Sequence, residues 1–393
     1  MKVFYIDPQS YNNLSVYDYH LLTHVRGHEI VYYGNQLYQC EPIRGVKQKL
    51  VFCYSTKKHV WQKALSYFVS MFRILLDVMK ERPDVVHVQW LRLWQIDYAF
   101  ERLLNRMGIQ LVFTAHNVLP HNDPKPQDKK RYAKYYQMAD SIIVHSERTK
   151  REMVSDIGVE AGKIKVIHHG ILENGVNQVD VLERCEVLSQ TLGIKQGDIV
   201  FSCLGLQNTY KGIDLVVKVW NETIELKENP QLHLLFVGRN KDIDFSPLEG
   251  CGNAFVLDEM ISDVDFDAYL QLSSVVLLPY KKASQSGVLF TALSRGIPVL
   301  VSDVGGLTEP LQYAHVGWDI GEPTAEKLQR TLLRLVQNKG EIDHVRQASE
   351  EFERIKQIYS WESIGEQTSK LYACVRMFDK SRSFSPQSVL MSL

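Results

Sequence analysis

The residues best placed to do chemistry lie in Phe201-Ser-Cys-Leu-Gly205-Leu-Gln-Asn-Thr-Tyr-Lys211-Gly212, a strand-like run that ends in glycine and carries a lysine just before the helical pattern Ile213–Trp220. Backbone N–H groups at a helix start attract anions, and glycine lets backbone approach a ligand closely, so Lys211 would stand against a phosphate. The plainer reading is an ordinary βα turn with a solvated lysine. A second constellation runs from Leu277-Leu-Pro279-Tyr280 through Ser284-Gln285-Ser286-Gly287-Val288 to Gly296-Ile-Pro298, and then to Asp303-Val-Gly305-Gly306-Leu-Thr-Glu309. Strand, small-residue loop, helix, strand and glycine loop place two helix N-termini at the carboxyl edge of one sheet, where open α/β sheets bind ligands. Three loops converging on one edge point to a nucleotide site.

Three other features carry a chemical and a structural reading side by side. His116, in Phe113-Thr-Ala-His116-Asn117, follows a strand pattern; a lone histidine there is either a structural hydrogen-bonder or a ligand contact. Asp263, Asp265 and Asp267 have D-x-D spacing, which suits a metal-bound nucleotide, but they also open the helical run Ala268–Leu272 and would complement its dipole. The helix His59–Lys80 sets Trp61, Leu65, Phe68, Val69, Phe72, Leu75, Leu76 and Met79 on one broad stripe, with Lys57, Lys58, Lys63 and Arg73 around it. That stripe reads as core packing or as an interfacial helix on anionic lipid. A second basic cluster, Lys129-Lys130-Arg131 with Lys134, lies in the same half.

Short β-branched runs alternate with helical patterns along the chain, which predicts βαβ units and parallel sheets. The first set is Val3–Ile6, Glu29–Tyr33, Val85–Val88, Leu111–Thr114, Ser141–Val144 and Lys165–Ile167; the second is Ile199–Cys203, Leu232–Val237, Ala254–Leu257, Ser274–Leu278 and Pro298–Ser302. Two consecutive sets imply an α/β chain of two doubly wound sheets. The polar stretch Glu173–Gly197 separates them, with the linker expected near Leu172–Val179. A last helix, about Trp361–Phe378, has an apolar face at Ile364, Leu371, Val375 and Phe378, and the polar residues after it read as a disordered tail.

Composition narrows the classes further. The 393 residues hold 45 basic and 46 acidic side chains and are 45% hydrophobic, which excludes disorder, collagen and coiled coil as the main architecture. The balance hides an asymmetry, because residues 1–180 carry 24 basic against 18 acidic side chains and the remainder 21 against 28. Six scattered cysteines, with no C-x-x-C, suggest buried thiols in a reduced, cytoplasmic setting. Met1–Ile6 is too short an apolar run for a signal peptide, and no run of apolar residues is long enough to span a membrane. A neutral pI of about 6.9 and the lack of a recognition motif argue against nucleic acid.

The order of these pieces resembles the GT-B glycosyltransferases, specifically the large retaining family 4. The resemblance rests on the Gly205-x5-Lys211-Gly212 loop, the strand Leu234-Leu-Phe-Val237-Gly238, the stretch ending Leu278-Pro279-Tyr280, and Gly296-x-Pro298-Val followed by Gly305-Gly306-x-x-Glu309. Lys165-Val-Ile-His-His-Gly170 looks like the family's pre-linker strand with His169 in place of an asparagine, His116 matches its strand-end histidine, and Tyr359-Ser-Trp361-Glu its final helix. It covers about residues 1–376. Leu206 and Asn208 stand where the family often has arginine, Ala283 and Thr291 where many members have paired glutamates, and Asn12-Asn13-Leu14 where a glycine pair is usual. The Ser284-Gln285-Ser286-Gly287 loop resembles a subgroup that lacks those glutamates.

The resemblance implies two Rossmann-like domains facing a cleft: an acceptor domain over 1–175, a nucleotide-sugar domain over 176–358, a helix over 359–378 that crosses back, and a tail over 379–393. It implies a retaining hexosyltransferase that takes a UDP- or GDP-sugar and glycosylates a lipid-linked or cell-surface glycan, without metal or cofactor, at the inner face of an anionic membrane. His116 and Lys211 would be catalytic. Gly205, Asn208, Lys211, Gly212, Gly238, Ser286, Gly287, Val288, Thr291 and Glu309 would bind donor, and Asn12, Asn13, His116 and Asn117 would bind acceptor. The departures keep two alternatives open, a non-catalytic subunit that partners another glycosyltransferase and a sugar-nucleotide epimerase.

Overall fold

A computed structural model of the chain describes residues 1–11, 13–119, 126–171, 175–283 and 286–377. It divides into two compact units, Met1–Gly170 together with the segment from Tyr359, and Ile171–Ile358. In the first, seven parallel strands β1 (Lys2–Ile6), β2 (Glu29–Asn35), β3 (Lys47–Phe52), β4 (Val85–Val88), β5 (Gln110–Thr114), β6 (Ser141–Val144) and β7 (Ile164–Val166) lie in the order β3-β2-β1-β4-β5-β6-β7. In the second, β8 (Ile199–Leu204), β9 (Leu232–Val237), β10 (Ala254–Leu257), β11 (Val275–Leu278), β12 (Val299–Val301) and β13 (Gly317–Asp319) lie in the order β10-β9-β8-β11-β12-β13. The two doubly wound sheets expected from the alternation are therefore present. Strand order reverses between β1 and β4 and again between β8 and β11, so each sheet has a crevice at the carboxyl ends of those strands. The central strands are buried on both faces, which is why they read as unbroken apolar runs.

Two strands escaped the sequence pattern, and both are sheet edges. β3 is Lys-Gln-Lys-Leu-Val-Phe, with lysines where an inner strand would carry apolar residues, and β13 is only Gly-Trp-Asp. Charge and shortness blunt an exposed edge and also erase the signal that reveals it. The polar stretch before the second sheet is largely helix, Gln178–Leu192, started by Asn177, whose side chain accepts from the Val179 N–H. The expected linker near Leu172–Val179 therefore overlaps a helix start at its far end, while residues 172–174 lie outside the described residues.

The helix Val60–Glu81 corrects the core-packing reading of its stripe. Tyr67, Met71, Ile74 and Val78 face the sheet and pack with Phe4, Phe52 and Val86, whereas Trp61, Leu65, Phe68, Val69, Phe72, Leu76 and Met79 are exposed and Leu75 is half-buried. The helix has two apolar faces, and periodicity alone does not say which one meets the sheet. The aspartates with D-x-D spacing start the helix Asp263–Leu272, where Asp265 pairs with Arg184 and fully buried Asp267 with Arg295. Dipole complementation and ion pairing thus describe them.

The last helix, Trp361–Met377, belongs to the first unit and lies along the helix Asn13–His24. Ile364, Leu371 and Val375 are buried, as their spacing predicted, while Phe378 and the tail lie outside the described residues. Two glycines allow the approach: a Cβ on Gly170 would overlap the Trp361 ring, and one on Gly365 would overlap the His24 backbone. Arg26 N–H donates to Ser369 Oγ at 3.0 Å on the same seam. Glycine inside a helix ordinarily loses about 1 kcal/mol relative to alanine. Here the overlap reverses the sign, so Gly365→Ala is expected to lower the melting temperature through about 1–3 kcal/mol of overpacking; thermal denaturation that shows a rise would contradict the packing.

Candidate functional site

In the second unit the crevice between β8 and β11 is built by two loops that interlock. β8 runs into Gly205, whose positive φ of 85° takes the chain sideways, and its N–H donates to the Val237 carbonyl at 2.9 Å. The Gln207 side-chain amide ties the turn down by donating to the carbonyls of Cys203, Gly205 and Val237. Asn208 then caps a single turn, Thr209–Lys211, with its side chain accepting from the Lys211 N–H at 3.3 Å. Gly212, with φ 71°, starts the helix Ile213–Glu222, and a Cβ there would overlap the Pro279 carbonyl at the end of β11. The N–H groups of Lys281 and Lys282 both donate to the Tyr210 carbonyl, which locks the second loop to the first.

Lys211 is half-buried at this junction, its Nζ 5.6 Å from the centroid of the Tyr280 ring. Burial lowers its pKa, partly countered by Cys203, and among the described residues no carboxylate pairs with it. The one acid in the first turn of its helix, Asp214, is taken by Lys281 at 2.5 Å. Tyr280 in turn is 3.2 Å from Ser286 Oγ, and Ser286 caps the helix Gly287–Ser294 by accepting from the Leu289 N–H. Val288 stands 3.6 Å from where a Gly205 Cβ would be, and nothing fills the space beside Gly287. The result is a single cation flanked by two helix starts, a geometry that attracts an anion.

Gly205, Lys211, Gly212, Ser286, Gly287 and Val288 are thus gathered into one cluster. Gly238, with φ 128°, lies beneath it, against the Gly205 backbone. Asn208 turns its side chain into its own cap, and Thr291 is partly exposed one turn into its helix, its hydroxyl donating to the Gly287 carbonyl at 2.9 Å. Glu309 is buried in the first turn of Glu309–Tyr313, after β12. Ser284 and Gln285 lie outside the described residues.

The crevice of the first unit is lined by histidines. Each strand from β4 to β7 ends in a polar ring or amide: Gln89, His116, His145, and His168 with His169. His145 Nδ1 lies 2.9 Å from the Ile167 carbonyl, so that nitrogen carries the proton and Nε2 accepts. His116 Nδ1 lies 3.2 Å from that Nε2, and His116 Nε2 lies 2.9 Å from Gln89 Oε1. The Trp90 ring stacks on His116 with centroids 4.5 Å apart, and Tyr17 meets it edge-on. Gln89 continues to His87, which reaches Tyr372 OH at 2.6 Å. Burial holds His87 and His145 down to about 3 and lowers His116, His168 and His169, so the chain of rings is neutral. Asn117 is half-buried beside His116, Asn13 begins its helix, and Asn12 lies outside the described residues.

Sequence reasoning found His116 and Lys211 but not their surroundings. The strand-end polar residues Gln89 and His145 share His116's pattern of an apolar run closed by a hydrogen-bonding side chain, a signal available from spacing. Tyr280 stood in a motif that the sequence singled out but without a role, and Gln207 and Trp90 gave no such signal.

Two parallel-sheet units of this topology, each with its crevice at the reversal of strand order, make up the GT-B glycosyltransferase fold. Sucrose-phosphate synthase from Thermosynechococcus elongatus shares it with a TM-score of 0.70 at 15% identity, over 96% of this chain and 100% of that one. Anabaena HepE in complex with UDP does so with a TM-score of 0.68 at 12% identity, over 95% and 100%. The profile of Glycosyltransferase Family 4 matches residues 20–172 and that of Glycosyl transferases group 1 matches residues 198–338, and the chain belongs to these family 4-like, group 1 glycosyltransferases. A glycosyltransferase of Methanocaldococcus jannaschii is 22% identical over 359 residues, 88% of this chain and 90% of that protein. The chain is a sugar-transferring enzyme.

The neutral histidine chain has a consequence for stability. Unfolded histidines gain a proton below about pH 6.5 and the folded ones do not, so acid removes stability, at about 1.4 kcal/mol per pH unit for each fully buried ring. Buried Asp18, which accepts from Tyr5 and Tyr32 and is raised to about 7, pulls the other way, as does its neighbour Asp7. Asp97, Glu101 and Asp319 are also raised by burial and pull the same way as those two, so the histidine contribution is isolated by a variant. On lowering the pH from about 7 to 5, the melting temperature of His145→Gln is expected to change less unfavourably than that of the parent; an unchanged pH slope in the variant would mean the ring is not held neutral.

Proposed function

We propose that the chain is a retaining hexosyltransferase that takes a UDP- or GDP-sugar and transfers the sugar to a lipid-linked glycan or a cell-surface polysaccharide precursor, in the cytoplasm at the inner face of the membrane. The observation that carries the donor half is the unpaired, half-buried Lys211 between two helix starts at the strand reversal of the second unit. Negative charge grows on the departing diphosphate as the glycosidic bond breaks, and a fixed cation with backbone N–H groups at Gly212 and Gly287 stabilises it where it develops. HepE, with the same fold, binds UDP and UDP-glucose, which supports a nucleotide-sugar donor.

Lys211 takes the part that a divalent ion would otherwise play, so the reaction runs without one. Retention then proceeds by front-face attack, the acceptor oxygen bonding to the sugar's anomeric carbon as its bond to the diphosphate breaks and the leaving phosphate taking the acceptor's proton. His116, held neutral and stacked on Trp90, serves as a hydrogen-bond partner to a sugar hydroxyl rather than as a general base. The basic excess of residues 1–180 supports an acceptor that carries phosphate.

A thermal-shift screen over UDP-, GDP- and other nucleotide sugars is expected to find at least one donor that raises the melting temperature. With that donor, Lys211→Ala is expected to slow nucleotide release by roughly 10²–10³-fold while leaving the unliganded melting temperature close to that of the parent. Stabilisation without turnover would point to the non-catalytic subunit, and return of an epimerised, intact nucleotide sugar to the epimerase. A chain that no nucleotide sugar stabilises is not this transferase.

A further inference from the structure

The exposed face of the helix Val60–Glu81 has no role in the chemistry above, and it is the largest unexplained apolar feature of the first unit. Seven large side chains, Trp61, Leu65, Phe68, Val69, Phe72, Leu76 and Met79, point outward, with Trp61 65% exposed and Phe72 50%. The Phe68 and Phe72 rings stack on each other at 6.3 Å instead of on the protein. Single exposed apolar residues are ordinary, but a contiguous stripe of aromatics over five turns marks a docking surface.

Charge identifies what docks. At roughly 100° per residue, the stripe is centred about 140° around the helix from the buried face of Tyr67, Met71, Ile74 and Val78. Arg73 and Lys80 border it, and Lys57 and Lys58 stand at its N-terminal approach; all four are exposed and, among the described residues, make no ion pair. The helix's two carboxylates are turned away and neutralised, Asp77 by Lys49 at 2.5 Å and Glu81 by Lys2 at 3.2 Å. Lys63, although exposed, falls on the side opposite the stripe. Aromatic and aliphatic side chains bordered by cations without ion pairs among the described residues, with the helix's own two carboxylates compensated, match a surface that is oily below and negative at its rim. A second copy of the same face would set Lys57, Lys58, Arg73 and Lys80 against their own like charges.

We infer that this helix lies in the plane of an anionic lipid surface, its outward stripe sunk among the acyl chains and Lys57, Lys58, Arg73 and Lys80 at the headgroups. The inference adds a partner to the membrane-side reading above, and it stands on the first unit alone.

Sedimentation of the full-length protein with vesicles tests it. Binding to mixed phosphatidylglycerol–phosphatidylcholine vesicles is expected to exceed binding to phosphatidylcholine alone by roughly tenfold at low salt and to weaken as salt rises. The pair Phe68→Ser and Phe72→Ser is expected to lower partitioning roughly tenfold or more, with an unchanged melting temperature, since neither ring packs on the core. Lys57→Gln, Lys58→Gln and Arg73→Gln together are expected to remove the preference for phosphatidylglycerol. Equal binding to both vesicles, unaltered partitioning in both sets of variants, or a dimer by light scattering that the serine pair dissolves would each overturn the inference. Because none of these residues touches the Lys211 cluster, the nucleotide-induced shift in melting temperature is read on the same variants, and its loss or retention separates failure of the lipid surface from failure of the transferase.

Discussion

An ammonium kept half out of water with, among the described residues, no carboxylate to answer it is unfavourable by itself, and the second unit holds Lys211 in that position. Its stem is fixed by the single turn that Asn208 caps, the turn is held by Gly212 against the Pro279 carbonyl, and Gln207 anchors the preceding glycine to three carbonyls. The acid that would most easily neutralise it, Asp214, is already paired with Lys281. A structure that excludes the internal counter-ion leaves the charge to be completed from outside, which is the condition for selective binding of an anion. The interlocked loops also explain two of the glycines here, since Gly212 and Gly238 each remove a side chain where two backbones cross.

The first unit applies the opposite electrostatics to the same topology. Its strand ends converge as well, but they present neutral imidazoles and amides, linked by hydrogen bonds from Tyr372 through His87 and Gln89 to His116 and His145. Desolvation keeps these rings uncharged, so they define directions rather than attract charge. A cationic edge in one unit and a neutral hydrogen-bonding edge in the other is the division of labour expected when one reactant is a diphosphate and the other is polyhydroxylated.

Much of this was readable before the structure because parallel sheets write themselves plainly: β1, β4, β8 and β9 are buried on both faces and so appear as apolar runs, and the glycines at 205 and 212 stand at positive φ next to a helix start. The rest was hidden for physical reasons. β3 and β13 are edges, whose residues answer to solvent as much as to the sheet. The helix Val60–Glu81 carries apolar residues on two faces, and spacing has no means of choosing between them. Tyr280, Trp90 and Gln207 act through contacts that form only when loops distant in sequence are brought together, and no local pattern encodes such a meeting.

The last helix bears on how the protein is made. Gly170, where the chain leaves the first unit, is pressed against Trp361, where it returns, and His168 meets Tyr359 with ring centroids 4.7 Å apart. The second unit is therefore spliced into the first as an insert with neighbouring ends. During synthesis the first sheet must wait, with the His24 backbone and the Tyr372 partner of His87 still missing, while nearly two hundred further residues emerge and the insert completes its own contacts. The first unit is thus begun before the insert and closed only after it, and its buried histidines are sealed once Trp361–Met377 has emerged.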